Sequence, residues 1–180
     1  MQFFAKGKRS LVYKEGKTIV KVERPESDAR NRMENEAYWL KILNAHNIGP
    51  TFLGFEKEML RMEYIDGMPI LEWAKEKNKK QKIKILKDLL RQCRVLDTLK
   101  VNKYEMHHPL KHALIRKNKI ILIDFERCKR TEKPKNVTQV CQFIAQYFNC
   151  QEVLKKAKKY KETYSEKEFQ EIIKCLTNIT

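Results

Sequence analysis

The sequence lacks long apolar runs and contains few glycines, the residues typical of flexible linkers. No stretch approaches the roughly 20 apolar residues that a membrane-spanning helix requires, and the segment 1–6 has neither a basic leader nor a long apolar region. Only 5 glycines occur among the 180 residues, and we find no Gly/Ser linker and no internal repeat. We therefore expect a cytoplasmic protein with no membrane partner, built as one compact domain or as two lobes that share a cleft.

Cysteine patterns are also absent. The 5 cysteines are odd in number, widely separated and without a C-x-x-C pair, which argues against a disulfide framework and against a zinc knuckle. We expect them to be reduced and mostly buried. His108 and His112 are four residues apart, as in a zinc pair on a helix, but Pro109 lies between them and no third ligand is nearby.

Acidic residues are scarce relative to basic ones. The chain has 23 Asp and Glu against 39 Lys and Arg, a formal net charge of +16. Such a charge attracts phosphate-bearing partners, including ATP, tRNA and ribosomal RNA. Much of the excess lies in residues 75–87 and 155–161, where acidic and apolar residues are interleaved at helical spacing. This pattern favours solvated helix faces over a dedicated RNA surface.

The periodicity of apolar residues predicts strands first and helices later. Alternation over residues 3–23 predicts two or three short antiparallel strands, followed by a helix over 29–44 that Ser27 and Asp28 cap. Strands follow at 51–55 and 59–64. Helices are predicted at 70–77, 81–99, 137–148, 151–160 and 165–176, with a hairpin of strands at 113–116 and 119–123 between them.

Two of the predicted strands present a charged residue. One strand ends at an aspartate, and the other contains a lysine. Four aliphatic residues, 120–123, lead directly into Asp124, the pattern of a buried strand that delivers a carboxylate able to hold a metal. Lys21 lies in the apolar strand 18–22, downstream of the small loop 7–10. A lysine in one strand and an acid at the end of another predict a site for nucleotide phosphates and magnesium.

The order of these elements resembles the protein kinase fold over nearly the whole chain. The opening segment 5–13 is most similar to the atypical RIO kinases and to the related short archaeal predicted Ser/Thr kinases. The resemblance implies an α+β, bilobal fold. Residues 1–67 would form an N-lobe with a small antiparallel sheet and one helix, and residues 68–180 a reduced, mainly helical C-lobe, together one kinase-like domain.

The resemblance also implies a binding site for ATP. Gly7 and Ser10 match the loop that covers the triphosphate, although two of the expected glycines are missing, and Lys21 matches the lysine that neutralises its phosphates. Glu36 matches the helix glutamate that holds this lysine, with Glu34 as its competitor. The segment 62–67 resembles the hinge, where Met62 would lie behind the adenine and backbone groups of Glu63 and Ile65 would bind it.

The catalytic loop departs from the family. Protein kinases carry His-Arg-Asp-x-x-x-x-Asn before the metal-binding strand, whereas here His112 stands at the Asn position and His107 stands five residues before it. Glu105 is the candidate catalytic carboxylate if the loop contains two extra residues. His107 is the alternative base. Lys111 is a candidate contact for the γ-phosphate.

The resemblance implies that Asp124 binds Mg²⁺, with His112 as a second ligand. Because Mg²⁺ prefers oxygen, a histidine ligand would favour tolerance of Mn²⁺ or the binding of one metal. Glu126 occupies the Gly position of Asp-Phe-Gly, which predicts a fixed segment. It could also approach the metal, or form an ion pair with Arg127 or Arg130. A helix capped by Asn136 follows too soon for a long activation loop.

The leading functional hypothesis is therefore an atypical, RIO-like serine/threonine protein kinase that uses ATP and phosphorylates a protein substrate or itself. The first alternative is a pseudokinase that binds nucleotide and serves as an interaction module. The second is an RNA- or ribosome-associated switch with a basic surface that hydrolyses ATP.

Overall fold

The computed structural model of the chain describes residues 1–26, 31–109 and 111–179. It divides into two compact units. The first unit comprises Met1–Asp66 and Ile121–Cys128, and the second comprises Gly67–Ile120 and Lys129–Thr180. The segment Ile121–Cys128, which its place in the sequence assigns to the second lobe, groups with the first unit. Its Phe125 side chain is fully buried there, against Gly49.

The first unit contains a five-stranded antiparallel sheet. Its strands are β1 (Gln2–Lys6), β2 (Ser10–Glu15), β3 (Thr18–Glu23), β4 (Phe52–Glu56) and β5 (Met59–Glu63). They are arranged in the order β1-β2-β3-β5-β4. Short turns join β1 to β2, β2 to β3 and β4 to β5. In the turn between β4 and β5, Lys57 and Glu58 both have positive φ, the conformation of the two-residue hairpin that suits twisted strands.

One helix, α1 (Arg32–Asn44), packs on this sheet. The predicted cap at Ser27 and Asp28 and the predicted start at residue 29 lie outside the described residues. The Glu23 carboxylate, at the end of β3, accepts hydrogen bonds from the amides of Arg32 and Met33 at the start of the helix. The helix buries one face, which carries Met33, Glu36, Ala37, Trp39, Leu40 and Leu43.

The second half of the chain contains most of the helices, as predicted. Within the described residues these are α2 (Ile70–Ala74), α3 (Lys79–Thr98), α4 (Asn136–Tyr147), α5 (Glu152–Thr163) and α6 (Glu166–Cys175), followed by a 3₁₀ turn at Leu176–Asn178. Asn78 and Gln81 form a reciprocal capping box at the start of α3, and Ser165 caps α6. Successive helices α3 to α6 pack on one another through fully buried aliphatic and aromatic side chains.

Asn136 does not cap α4, contrary to the prediction. The helix begins at Asn136 itself, and the preceding Lys135 makes no side-chain cap. The Asn136 amide is fully buried and bonded to Asp97, Val101 and Lys103 instead. Burial decides its role, because an amide without partners in the core costs more free energy than an exposed helix terminus.

In the described part of the chain there are also the short strands β6 (Met68–Pro69), β7 (Val101–Asn102), β8 (Ala113–Arg116), β9 (Lys119–Leu122) and β10 (Lys129–Arg130). The hairpin of β8 and β9 turns at Lys117 and Asn118, both at positive φ, as predicted. The pairings of β6 with β8 and of β7 with β10 were not predicted. A two-residue strand is too short to have a periodic signal.

All five cysteines are buried, as predicted, and none of them is in a disulfide. In the described part of the chain, no helix combines the length and the apolar character needed to cross a membrane.

Candidate functional site

Lys21 and Glu36 form a buried ion pair in the first unit. Strand β3 carries Lys21 toward α1, and the Lys21 Nζ lies 3.1 Å from Glu36 Oε1 and 2.8 Å from Glu36 Oε2. The Glu36 side chain is fully buried, and the Lys21 side chain is 14% exposed. Glu34, the competing residue, is exposed, because two residues along a helix correspond to about 200° of rotation.

Asp124 lies beside this pair. Its Oδ1 is 3.6 Å from Lys21 Nζ, and its side chain is 32% exposed. The next residue, Phe125, donates its backbone N–H to Glu36 Oε1 over 3.1 Å. Glu36 Oε1 therefore binds both the strand lysine and the backbone immediately after Asp124. Asp124 itself has a φ of 66°, a left-handed conformation that is uncommon for residues with a side chain and concentrates at functional sites.

The three charged groups leave one net negative charge. Burial alone would lower the pKa of Lys21, but the carboxylates of Glu36 and Asp124 together raise it above its usual value. Burial raises the pKa of Glu36, which the Lys21 ammonium opposes. The three hydrogen bonds that Glu36 accepts favour its ionised form. One ammonium with two carboxylates suits a divalent cation beside the partly exposed carboxylate of Asp124.

The backbone after Asp124 is tied to α1. Asn35 Nδ2 donates to the carbonyl oxygens of Glu126 (2.9 Å) and Cys128 (3.0 Å). Trp39 Nε1 donates to the same Cys128 carbonyl over 2.9 Å. Asn35 and Trp39 were not predicted to belong to the site. Their spacing of four residues was the available signal, since Trp39 Nε1 also bonds Asn35 Oδ1 along one face of the helix.

Gly7 and Ser10 close a tight turn between β1 and β2. The Gly7 N–H donates to the Ser10 carbonyl over 2.8 Å, and Ser10 is buried. A Cβ at residue 7 would lie 3.1 Å from Ser10 Oγ, so a side chain fits poorly there. The same turn carries Arg9, whose Nη1 lies 3.1 Å from Glu126 Oε1. This partner of Glu126, which is far away in sequence, was not predicted.

The register of the sheet places an apolar strip beside Lys21. Lys21 pairs with Val12 across β2, and Ile19 pairs with Met62 across β5. Directly paired residues and alternate residues share one face of a sheet, so these side chains lie on the face of Lys21. Ile19 and Met62 are buried. Val12 and Ile19 were missed, although their alternation with polar residues was a signal.

The chain leaves the first unit after the segment expected to form the hinge. Ile65 is buried. The Glu63 carboxylate accepts hydrogen bonds from the backbone N–H (3.3 Å) and the hydroxyl (2.9 Å) of Thr51, and the Glu63 N–H donates to the Thr51 carbonyl over 2.9 Å. The Tyr64 N–H donates to the Lys17 carbonyl over 2.8 Å. Strand β5 and the residues after it are therefore held by β4 and by the turn between β2 and β3.

The candidate catalytic loop belongs to the second unit. Glu105 has a φ of 69° and a side chain that is 45% exposed, and its Oε2 lies 3.8 Å from His112 Nδ1. The His107 ring is exposed and lies 5.0 Å from the His108 ring, centroid to centroid. Lys111 is exposed. Of these candidates, the structure brings together Glu105 and His112.

The start of α4 anchors this loop. Asn136 Oδ1 accepts the Lys103 N–H over 2.7 Å, and Gln139 Oε1 accepts the Met106 N–H over 3.1 Å. Glu105 thus lies between two residues whose backbone amides are held by α4. Sequence reasoning did not identify Gln139, because the partner of a loop amide leaves no pattern in the sequence.

A buried network fixes the start of α4 in turn. Asp97 accepts hydrogen bonds from the Asn136 side chain (2.7 Å), from the backbone of Asn136 and Val137, and from the Tyr160 hydroxyl (2.9 Å). Burial raises the pKa of Asp97, while the hydrogen bonds from Asn136 and Tyr160 oppose this. The four hydrogen bonds make this carboxylate the centre of the network.

Asp124 is the candidate metal ligand of the first unit, and His112 that of the second. Among the described residues, no group of three or more His, Cys, Asp or Glu side chains could hold a metal ion by itself. Protein-bound Mg²⁺ usually takes one or two carboxylates and completes its shell with water and substrate phosphates. The half-exposed carboxylate of Asp124 beside a lysine fits that mode of binding and does not fit a metal site made of protein ligands alone.

Comparison with known proteins supports the fold. No protein-family model matches the chain, and no curated protein sequence matches it. Among the solved structures that match is WbdD, in a co-crystal structure with the kinase inhibitor LY294002. The TM-score is 0.69 at 18% sequence identity, and the match covers 99% of this chain but 46% of the WbdD chain. The predicted α+β fold class is confirmed, and the chain has a protein kinase-like fold.

Proposed function

We propose that the chain is an ATP-dependent phosphotransferase, an atypical serine/threonine protein kinase of the RIO-like type that acts in the cytoplasm on a protein hydroxyl or on itself. The observation that carries the proposal is the position of Lys21, held between the buried carboxylate of Glu36 and the half-exposed carboxylate of Asp124. A cation fixed between two acids, one of them accessible, is the arrangement that phosphate and its metal require.

Each part of the first unit has a role in this proposal. Lys21 binds the phosphates and stays charged, because two carboxylates surround it. Glu36 fixes both Lys21 and the Phe125 amide. The apolar strip beside Lys21 receives the purine, and backbone groups of Glu63 and Ile65 bind its edge. The turn at Gly7 and Ser10 covers the triphosphate.

In this scheme Asp124 would hold Mg²⁺ or Mn²⁺ in the first unit, and His112 is the candidate metal ligand of the second unit. The metal, when bound, neutralises charge on the transferred phosphate. Glu105 orients the acceptor hydroxyl, with His107 as the alternative base, and Lys111 meets the γ-phosphate. Because phosphoryl transfer depends mainly on positioning and charge neutralisation, a loop without the usual Asp gives a slow enzyme rather than an inactive one.

A nucleotide-binding pseudokinase is the second candidate. The observation in its favour is that Glu105 faces His112 at 3.8 Å. A carboxylate engaged by an imidazole is less available to a substrate hydroxyl.

The test measures ATP binding and transfer of ³²P from γ-labelled ATP, with Mg²⁺ or Mn²⁺, by the full chain. Variants Lys21→Met, Asp124→Asn and Glu105→Gln are compared with Lys17→Met, a lysine exposed in the turn before β3. We expect transfer to fall by about a hundredfold or more in the first two variants and to persist in Lys17→Met. Binding lost in Lys21→Met without any transfer by the wild type would favour the pseudokinase. Absence of ATP binding would refute both candidates.

A further inference from the structure

An ion pair joins the turn between β1 and β2 to the segment after Asp124. Arg9 Nη1 lies 3.1 Å from Glu126 Oε1, and the two side chains are 24% and 12% exposed. The first unit contains a second ion pair of the same length, Arg61 with Glu15, whose side chains are 44% and 54% exposed. The Arg9–Glu126 pair is more shielded from water, so its electrostatic attraction is screened less.

The backbone is held at both ends of this ion pair. The Arg9 carbonyl accepts the Arg24 N–H over 3.0 Å, within the turn that Gly7 and Ser10 close. The Glu126 carbonyl accepts hydrogen bonds from Asn35 Nδ2 and, at 3.4 Å, from Arg32 Nη1. The backbone is therefore fixed at Arg9 and at Glu126, and the two side chains meet between these fixed points. The Glu126 carboxylate sets the direction of the Arg9 side chain.

The pair is part of the charge cluster around Lys21. The Glu126 carboxylate contributes to raising the pKa of Lys21, together with the larger contributions of Glu36 and Asp124. Glu126 stands two residues after Asp124, whose Oδ1 lies 3.6 Å from Lys21 Nζ, so the Arg9 guanidinium that Glu126 binds is tied to the segment that carries Asp124. A guanidinium has five N–H donors in a rigid fork, so it can serve one carboxylate and one phosphate at the same time.

We propose that Arg9 is a phosphate-binding residue for the nucleotide and that Glu126 is the residue that positions it. This inference rests on the proposed function. Glu126, which stands where kinases have the glycine of Asp-Phe-Gly, orients Arg9 toward the phosphates. Lys21 binds the same phosphates. Arg9 is a further cation beside Lys21 in the first unit, and its contact is with phosphate rather than with adenine.

If Glu126 positions Arg9, replacing Glu126 with glutamine should weaken the binding of ATP, whereas the change of charge alone would strengthen it. Glu126→Gln removes a negative charge near the triphosphate, which would by itself tighten binding of ATP. If Glu126 positions Arg9, the same substitution releases the guanidinium into other rotamers and weakens binding instead. Arg9→Gln weakens binding under either account, so Glu126→Gln is the informative variant.

The experiment measures the Kd of the full chain for ATP, ADP and adenosine, each with Mg²⁺, by calorimetric titration. The variants are Arg9→Gln, Glu126→Gln and the double variant, with Arg61→Gln and Glu15→Gln as matched controls. Urea unfolding of every variant establishes that it is folded. We expect Kd for ATP to rise about tenfold in Arg9→Gln and about three- to tenfold in Glu126→Gln. The double variant should resemble Arg9→Gln alone, because the two residues act as a unit.

Binding of adenosine should change less than twofold in all variants, and the control variants should bind ATP as the wild type does. A loss of packing alone would weaken ATP and adenosine equally and would overturn the proposal. Equal or tighter ATP binding by Glu126→Gln would also overturn it, while leaving the proposed function intact if Lys21→Met still abolishes binding. A wild-type chain that binds no ATP would refute the proposed function and this role of Arg9 together.

Discussion

Replacing Glu36 with alanine tests the buried centre of the candidate site. Glu36 accepts hydrogen bonds at 3.1 Å and 2.8 Å from Lys21 and at 3.1 Å from the Phe125 amide. Its removal leaves that buried amide without its carboxylate acceptor, at about 1–3 kcal/mol. It also leaves a shielded ammonium with Asp124 at 3.6 Å. Breaking one partner of a buried pair costs about 3–5 kcal/mol in total, a large part of the stability of a typical domain.

Two variants isolate the cause of this loss. Glu36→Gln keeps a carbonyl oxygen for the Phe125 amide but removes the charge, so we expect a smaller loss of about 1–3 kcal/mol. Glu34→Ala removes an exposed acid from the same helix and should change stability by about 0.5 kcal/mol or less. The assay is urea unfolding at pH 7, monitored by circular dichroism.

The result that would contradict this reasoning is equal destabilisation by Glu34→Ala and Glu36→Ala. A loss below about 1 kcal/mol in Glu36→Ala would contradict it as well, because a buried carboxylate with three hydrogen bonds cannot be removed so cheaply.

Three further predictions concern stability, and urea unfolding measures each of them. Gly49 has a φ of 86°, and a Cβ there would lie 2.9 Å from buried side chains. Gly49→Ala should therefore cost about 2–4 kcal/mol, whereas Gly54→Ala, which meets open space, should be nearly neutral; equal effects would contradict the packing. Asn136→Ala breaks three buried hydrogen bonds and should cost about 3–5 kcal/mol; a loss below about 1 kcal/mol would refute the network. Burial raises the pKa of the Cys93 and Cys141 thiols in the folded chain. The protonated thiols therefore contribute fully to the stability of the fold below the thiol pKa of the unfolded chain, about 8.5. This contribution is lost as the pH rises from there toward the thiol pKa of the folded chain. The free energy of unfolding should fall above that pH by about 1.4 kcal/mol per pH unit for each such thiol, and Cys141→Ala should flatten the slope.

The parts of the fold that could be predicted are those whose apolar residues recur at the spacing of a strand or a helix. Strands β2 and β3, the long helix α3 and the hairpin at Lys117 and Asn118 follow from alternation, helical spacing and turn residues. The short strands β6, β7 and β10, and the pairing of β6 with β8, depend on contacts between residues far apart in sequence. The role of Asn136 was predicted wrongly because a polar residue before an apolar helix looks the same whether it caps the helix or enters the core.

The candidate site was predictable where a charged residue lies in an apolar strand. Lys21 and Asp124 were identified in this way. The choice of Glu36 over Glu34 relied on resemblance and on the apolar face that follows it. Arg9 as the partner of Glu126 could not be predicted, because the two residues are 117 positions apart. Whether Glu105 or His107 acts in the second unit remains a prediction.

The return of Ile121–Cys128 to the first unit has a consequence for biosynthesis. Lys21 and Glu36 are synthesised early, but their partners Asp124 and Phe125 leave the ribosome about 90–100 residues later. At about 5–20 residues per second, this delay amounts to roughly 5–20 s. During that time the nascent sheet carries a buried acid and a lysine without the segment that completes them. The first unit can therefore reach its final stability only after the part of the second unit that precedes this segment, Gly67–Ile120, has been translated.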